Sequence, residues 1–275
     1  MTKANKILFI TQEISPFVPK SEMSLVARNL PQAIQEKGRE IRTFMPKWGT
    51  INERRNQLHE VIRLSGMNLI INDTDHPLII KVASVQPARM QVYFIDNDEF
   101  FKKRKLTKDK EGKEYTDNDA RAIFFARGVL ETIKKLRWCP EVVHCHGWMS
   151  ALAPLYIKKA FRDEPSFRDS KMVFSIYEDE FKENFDADFK EKLMLKGIDQ
   201  EDLKSLGDGP VNYVSLMKFA IDHSDGIIQN SEKVNEEVME YARKSGKLVL
   251  DYQGAEDYAD AFDAFYDKVW ESETK

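Results

Sequence analysis

The chain is 275 residues long, with 42 Lys and Arg against 46 Asp and Glu and a formal net charge of −4. That balance gives no electrostatic reason to expect nucleic acid or an anionic membrane as a partner, and no apolar run approaches the length of a membrane span. Two cysteines, Cys139 and Cys145, cannot staple a domain of this length and are read as reduced thiols. The first six residues lead straight into an apolar run at 7–10 with no cleavage pattern behind it, so a cytoplasmic protein is expected.

In chain order, residues 7–11 read as a buried-type strand. Residues 23–37 carry Leu25, Val26, Leu30, Ala33 and Ile34 at helical spacing, and Gly38 closes that helix. A second strand is expected over 41–45. Residues 61–71 and 78–95 hold β-rich runs, the latter ending in Val92-Tyr93-Phe94-Ile95 before Asp96. A long helix over 119–137 leads to a strand at 141–146, a helix from about 150 to 161 and a strand at 172–176. Helices at 211–222 and 231–244 flank a strand at 226–228. A strand-like run at 247–250 precedes a last helix, 256–272, whose Tyr258, Phe262, Phe265 and Val269 share one face. Alternating β and α imply a three-layer α/β, Rossmann-like domain with a mainly parallel sheet, and ligands of such sheets sit at the carboxyl ends of the strands.

Two segments interrupt the pattern. Residues 102–114 are basic and of mixed charge, the composition of a solvated loop, with a phosphate or polysaccharide contact as the alternative. Residues 177–208 are acidic, with Phe181, Phe185 and Phe189 spaced by four, which predicts a helix burying its Phe face, with a partner groove as the alternative. His144, Cys145, His146 and Cys139 invite a metal reading, but no Cys-x-x-Cys pair or recognised four-ligand spacing supports one, so no metal and no cofactor are expected. Thr116 or Asp117 is placed to cap the helix that follows.

Residues 141–154 carry the most information. Val142-Val143-His144-Cys145-His146-Gly147-Trp148-Met149 followed by Ala151-Leu152-Ala153-Pro154 resembles the "DVVHAHDWHAGLAP" segment of bacterial glycogen and plant starch synthases. Other landmarks follow the same family order. Glu13-Ile14-Ser15-Pro16 is similar to "E-x-x-P" and Leu30-Pro31 to "GALP". Pro46-Lys47-Trp48-Gly49 resembles "P-x-Y-G", and residues 92–96 resemble "V-Y-F-I-D". Tyr115-Thr116-Asp117-Asn118 with Arg121, and Phe124-Phe125 after it, resembles "Y-x-D-N-x-x-R-F", and residues 213–231 resemble "K-A-G-L-x-x-A-D-x-I-x-x-V-S". The resemblance implies the N-terminal half of a GT-B glycosyltransferase, over residues 1–245. Residues 246–275 are then the strand-like run and a helix packed back on the sheet, with no second GT-B domain after them. It also implies glucosyl transfer from ADP-glucose to an α-1,4-glucan.

The departures from the pattern bear on that activity. The family His used at the sugar is Met149 here. The family's Lys-Thr-Gly-Gly loop, whose glycines let backbone amides approach phosphate, is Pro19-Lys20-Ser21-Glu22-Met23. The family's "T-V-H-N" is Ser175-Ile176-Tyr177-Glu178. The expectation is a glycogen synthase-like protein that is inactive alone or needs a protein partner supplying the second half. The rival is a non-catalytic regulator that binds a glucan or a protein. Lys20, Tyr115, Asp117, Asn118, His144, His146 and Trp148 are the candidate ligand contacts.

Overall fold

The computed structural model describes residues 3–272. Residues 1–2 and 273–275, the two tips of the expected division of the chain, lie outside the described residues. The first strand, β1 (Lys6–Thr11), is followed by α1 (Glu22–Glu36), β2 (Glu40–Pro46), β3 (His59–Glu60), β4 (Met67–Ile71), β5 (Thr74–Val85) and β6 (Met90–Asp96). Next come α2 (Asn118–Leu136), β7 (Val142–His146), a 3-10 turn (Trp148–Ser150), α3 (Ala153–Lys158), β8 (Lys171–Ile176) and α4 (Phe189–Leu193). The chain goes on through a second 3-10 turn (Gln200–Leu206), α5 (Tyr213–Asp222), β9 (Gly226–Gln229), α6 (Glu236–Lys244), β10 (Leu248–Leu250) and α7 (Tyr258–Glu271).

Among the described residues these strands form one sheet in the order β10-β9-β8-β7-β1-β2-β6-β5-β3, with β4 paired to β5. From β10 to β6 all neighbours are parallel, and β5 turns back antiparallel along β6. The central parallel strands β1, β7 and β8 are buried along nearly their whole length, as a sheet covered on both faces requires. The two β-rich runs thus build an antiparallel hairpin at one edge, while the parallel part follows the expected order.

Chain order reverses between β1 and β7. After β1 the strands step outward through β2 to β6; the chain then returns to lay β7 on the other side of β1, with Phe9 opposite His144 and Thr11 opposite His146. The loops after β1 and β7 therefore diverge, and their carboxyl ends mark the switch point at which open α/β sheets form a ligand crevice.

The helix α1 starts at Ser21, whose hydroxyl accepts from the Ser24 amide in a capping box. It ends where Gly38 takes a φ of 88°, a left-handed value that suits glycine. The last helix, α7, lies beside α1 on β7 and β8. Its Tyr258, Phe262, Phe265, Tyr266 and Val269 are buried. Arg39 clamps it there: the buried guanidinium meets Asp263 at 2.6 Å and Asp267 at 2.8 Å. Helix α2 covers the other face.

Four local expectations are corrected. Phe181, Phe185 and Phe189 are buried but do not share a helix. Residues 177–188 run as irregular chain, and only Phe189 begins α4. The rings gather instead in a cluster, Phe181 stacked on Phe185 with centroids 4.8 Å apart and Phe185 edge-on to Phe189 at 4.9 Å. Neither Thr116 nor Asp117 caps α2, because the Asp117 carboxylate is taken by Arg104. The helix placed at 150–161 is split into the first 3-10 turn and the short α3, with Pro154 in its first turn. The helix placed at 231–244 begins only at Glu236, where the Asn235 side chain accepts from the Val238 amide.

Candidate functional site

Two clusters of candidate residues lie at the carboxyl side of the sheet. The first is built on the ends of β1, β7 and β8. Alternation along β7 turns His144 and His146 toward α7, and their rings lie 3.8 Å apart. His144 Nδ1 is 2.7 Å from the Tyr266 hydroxyl and its Nε2 is 2.7 Å from Ser175 Oγ. His146 Nδ1 is 2.7 Å from the Tyr177 hydroxyl, which also accepts from Asn230. Both imidazoles are completely buried. Burial holds the basicity of His144 well below the ordinary histidine range, helped by the neighbouring ring, and pulls His146 down to about 3. They are neutral rings inside the fold, and the same burial pushes the Tyr177 phenol well up.

Above them the backbone turns at Gly147, with φ 78°. A Cβ there would stand 2.6 Å from Met23 Cε and 2.9 Å from Asp179 Oδ2. The Met23 methyl therefore sits directly on this glycine. Trp148 donates its amide to Asp179 at 3.0 Å, and the Tyr213 hydroxyl donates to the other Asp179 oxygen at 2.9 Å. Burial, with Glu13 nearby, pushes the Asp179 carboxyl up to about 7. Met149, at the family His position, is fully buried and its amide donates to Gln12 Oε1 at 3.3 Å.

The loop between β1 and α1 carries two more carboxylates. Glu13 accepts from the Ser21 hydroxyl. Glu22, first residue of α1, accepts from the Ser231 hydroxyl and from the Tyr252 hydroxyl at 3.2 Å. The end of α1 that would favour an anion is thus occupied by the chain's own acids. Lys20 is exposed beside them and stands apart from the other candidates.

The second cluster surrounds the head of α2. Arg121 is fully buried. Its Nε donates to the Phe100 carbonyl at 2.9 Å, one terminal nitrogen to Asn118 Oδ1 at 2.7 Å and the other to the Lys105 carbonyl at 3.3 Å. The guanidinium lies 5.1–5.4 Å from the rings of Trp48, Phe101 and Tyr115, and burial brings its pKa down to about 10. Asn118 donates to the Thr107 carbonyl at 2.8 Å, and the Tyr115 hydroxyl accepts from the Lys105 amide at 3.1 Å. Tyr115, Asp117 and Asn118 thereby tie down the loop that precedes them.

The candidates therefore divide three ways: His144, His146 and Trp148 together under the crevice, Tyr115, Asp117 and Asn118 together at α2, and Lys20 alone. Reading the sequence missed Asp179, Tyr177, Ser231 and Tyr252. A signal for Asp179 existed, since it follows the end of a buried strand by three residues. Asp119, Asp186 and Asp188 bring ligand atoms within 4.8 Å of one another, but the Lys192 ammonium fills that space at 2.9, 3.1 and 2.8 Å. Among the described residues no helix is long and apolar enough to cross a membrane.

Residues 6–251 match the family described as the starch synthase catalytic domain. The chain belongs to that family. Among curated relatives, a glycogen synthase of Pelodictyon phaeoclathratiforme is 39% identical over 179 residues, 64% of this chain and 37% of that protein. A glycogen synthase of Chlorobium phaeovibrioides is 33% identical over 240 residues, 86% of this chain and 48% of that one. This starch synthase-type chain thus spans less than half the length of these two relatives. In fold it is similar to the catalytic domain of starch synthase IV from Arabidopsis thaliana, solved bound to ADP and acarbose. The TM-score is 0.72 at 16% identity, over 91% of this chain and 51% of that one.

Proposed function

We propose that this domain is a cytoplasmic, glycogen synthase-like protein that meets α-glucan but does not by itself transfer glucose from ADP-glucose. The loop between β1 and α1 carries the reading. A diphosphate brought to the start of α1 would face Glu22, with Glu13 beside it and the Met23 methyl seated on Gly147. Opposed like charge in a partly desolvated crevice costs more than in water. Met149 adds a second deficit, because a thioether supplies neither a proton nor a strong hydrogen bond to a sugar. Loss of a single donor to developing charge typically lowers rate by about 100- to 1,000-fold.

The test is radiolabelled transfer from ADP-glucose to glycogen by the pure chain, beside a Met149→His variant and calorimetry with ADP-glucose and with a maltooligosaccharide. No transfer, no ADP-glucose heat and a measurable glucan heat are expected, and Met149→His alone should not restore turnover. Turnover by the unmodified chain well above a protein-free blank would overturn the proposal. Turnover that appears only when a second cellular protein is added would identify a partner that supplies the missing chemistry.

A further inference from the structure

The antiparallel edge of the sheet leaves one stretch of backbone unpaired. Strand β3 pairs with β5 through two residues, His59 with Val82 and Glu60 with Lys81. Just before β3 the chain turns away from β5 at Gln57, whose φ of 53° is left-handed and whose amide donates to the Arg54 carbonyl. The ladder between β5 and β6 meanwhile runs without a break to Val85 and Met90. Successive residues of an antiparallel strand turn their N–H and C=O to opposite sides. Ile80 accepts from the Val61 amide and donates its own amide to Ser65 Oγ, both on the side away from β6. Ser84, four residues on, points its amide and carbonyl the same way, and neither meets a protein partner among the described residues. A cavity of about 560 Å³ opens beside Ser84, lined among others by Arg55, Asn56, Gln57, His59, Gln86 and Gln91. We propose that this groove is a docking site for an acidic, extended peptide segment of a partner protein, which adds to the sheet beside Ser84. The proposal does not rest on the reading of the β1–β7 crevice.

The free backbone groups select the ligand class. A donor and an acceptor side by side on a strand edge are matched by another peptide unit, whereas a small anion would take the N–H and leave the C=O unpaired. The volume lies within the roughly 300–1,000 Å³ of ligand-sized clefts. Charge selects the sequence. Among the described residues no carboxylate lines the groove, and the exposed Arg55 has no ion pair. Glu53, the nearest acid along the chain, is taken by Lys47 at 2.8 Å and Lys81 at 2.7 Å. Arg28 adds a further cation at the Gln86 end, where it donates to the Gln86 carbonyl at 2.9 Å. Acidic side chains on the incoming strand complement this wall. A second copy of the chain does not, because pairing its own β5 edge here would bring like charges together.

The probe is a labelled, amide-capped heptapeptide of alternating Glu and Val, followed by fluorescence anisotropy and by the backbone amide shifts of the full chain. Comparators are the same peptide with Lys in place of Glu, and one N-methylated at every residue, which keeps the charge and removes the backbone donors. Half-saturation by the acidic peptide is expected on the order of 100 µM in about 50 mM salt, weakening several-fold at about 500 mM as exposed charges are screened. The amides of Asn56, Gln57 and Ser84 should shift. The N-methylated peptide should bind about tenfold more weakly, for the loss of its backbone hydrogen bonds. Arg55 is exposed, so Arg55→Glu keeps the fold. It should weaken the acidic peptide about tenfold and strengthen binding of the Lys peptide. Equal binding of the parent and N-methylated peptides would reduce the site to diffuse charge attraction and overturn the proposal. So would equal binding of the Lys peptide to the unmodified chain, unchanged affinity in Arg55→Glu, or shifts confined to other residues. Failure to saturate in the millimolar range would overturn it too, and would mean that the arginines only guard a free edge.

Discussion

The docking of α7 can be tested at a single glycine. Gly226 opens β9 beneath α7, and a Cβ built on it would stand 2.6 Å from Val269 Cγ2 and 3.0 Å from two Phe265 ring carbons. Its φ is not in the left-handed region, so alanine suits the backbone. In Gly226→Ala, overpacking of this kind costs about 1–3 kcal/mol, offset by about 0.4–1 kcal/mol from the reduced freedom of the unfolded chain. A net loss of about 1–2 kcal/mol is expected. Val269→Ala removes two buried methyl groups at about 0.8 kcal/mol each and leaves a small void, for about 2 kcal/mol in total. Were the sites independent, the double variant would lose about 3–4 kcal/mol, since distant effects add. The methyl added at position 226 instead enters the space that Val269 vacates, so the double variant should lose only about 2 kcal/mol, a coupling within the usual range of about 0.5–3 kcal/mol. Urea unfolding followed by circular dichroism and by fluorescence measures all four proteins, with an unchanged slope against urea as the check that only stability moved. A Gly226→Ala protein as stable as the parent, or losses that add to within about 0.5 kcal/mol, would refute the packing of α7 on β9.

Two further outcomes follow from the buried polar groups. His146 stays neutral in the fold down to about pH 3, whereas in the unfolded chain it takes up a proton below about 6.5. Its contribution to stability is therefore present above pH 6.5 and is lost as pH falls toward 3, at about 1.4 kcal/mol per pH unit. Between pH 6.5 and 4.5, His146→Asn should show a stability–pH slope shallower by that amount, and identical slopes would exclude it. Arg121→Met leaves the buried carbonyl of Phe100 and the Asn118 amide oxygen without their donor, at about 1–3 kcal/mol each. Thermal unfolding should then come roughly 4–24 °C earlier, for about 2–6 kcal/mol at roughly 2–4 °C per kcal/mol in a chain of this size, and an unchanged melting temperature would mean that the loop at 97–118 is held by other contacts.

The parallel part of the sheet was legible because its central strands, β1, β7 and β8, are short runs buried at nearly every residue and alternate with helical segments. The segment at 177–189 was misread for an equally physical reason. Spacing by four describes a helix only if the backbone amides bond locally, and here those of Lys182, Glu183 and Phe185 bond to Glu114 and Val211. No window of neighbouring residues contains those partners. Asp117 escaped in the same way, its carboxylate engaged by an arginine thirteen residues upstream. In the crevice, the intrusion of Glu22 was visible as a substitution, but not that Ser231 and Tyr252, some two hundred residues later, would close over it.

The clamp between Arg39 and α7 also orders events in time. Asp267 accepts the Ala4 amide at 2.9 Å as well as the Arg39 guanidinium, and Tyr266 completes the surroundings of His144. Contacts so distant along the chain close late, because loop closure must come first. During synthesis, β1, β2 and β7 leave the ribosome well before residues 262–269. Until those residues arrive, the middle of the sheet lacks the helix that covers Phe9 and His144. The nascent chain therefore carries an uncovered apolar face through most of its translation, a stage at which chaperone binding competes with aggregation.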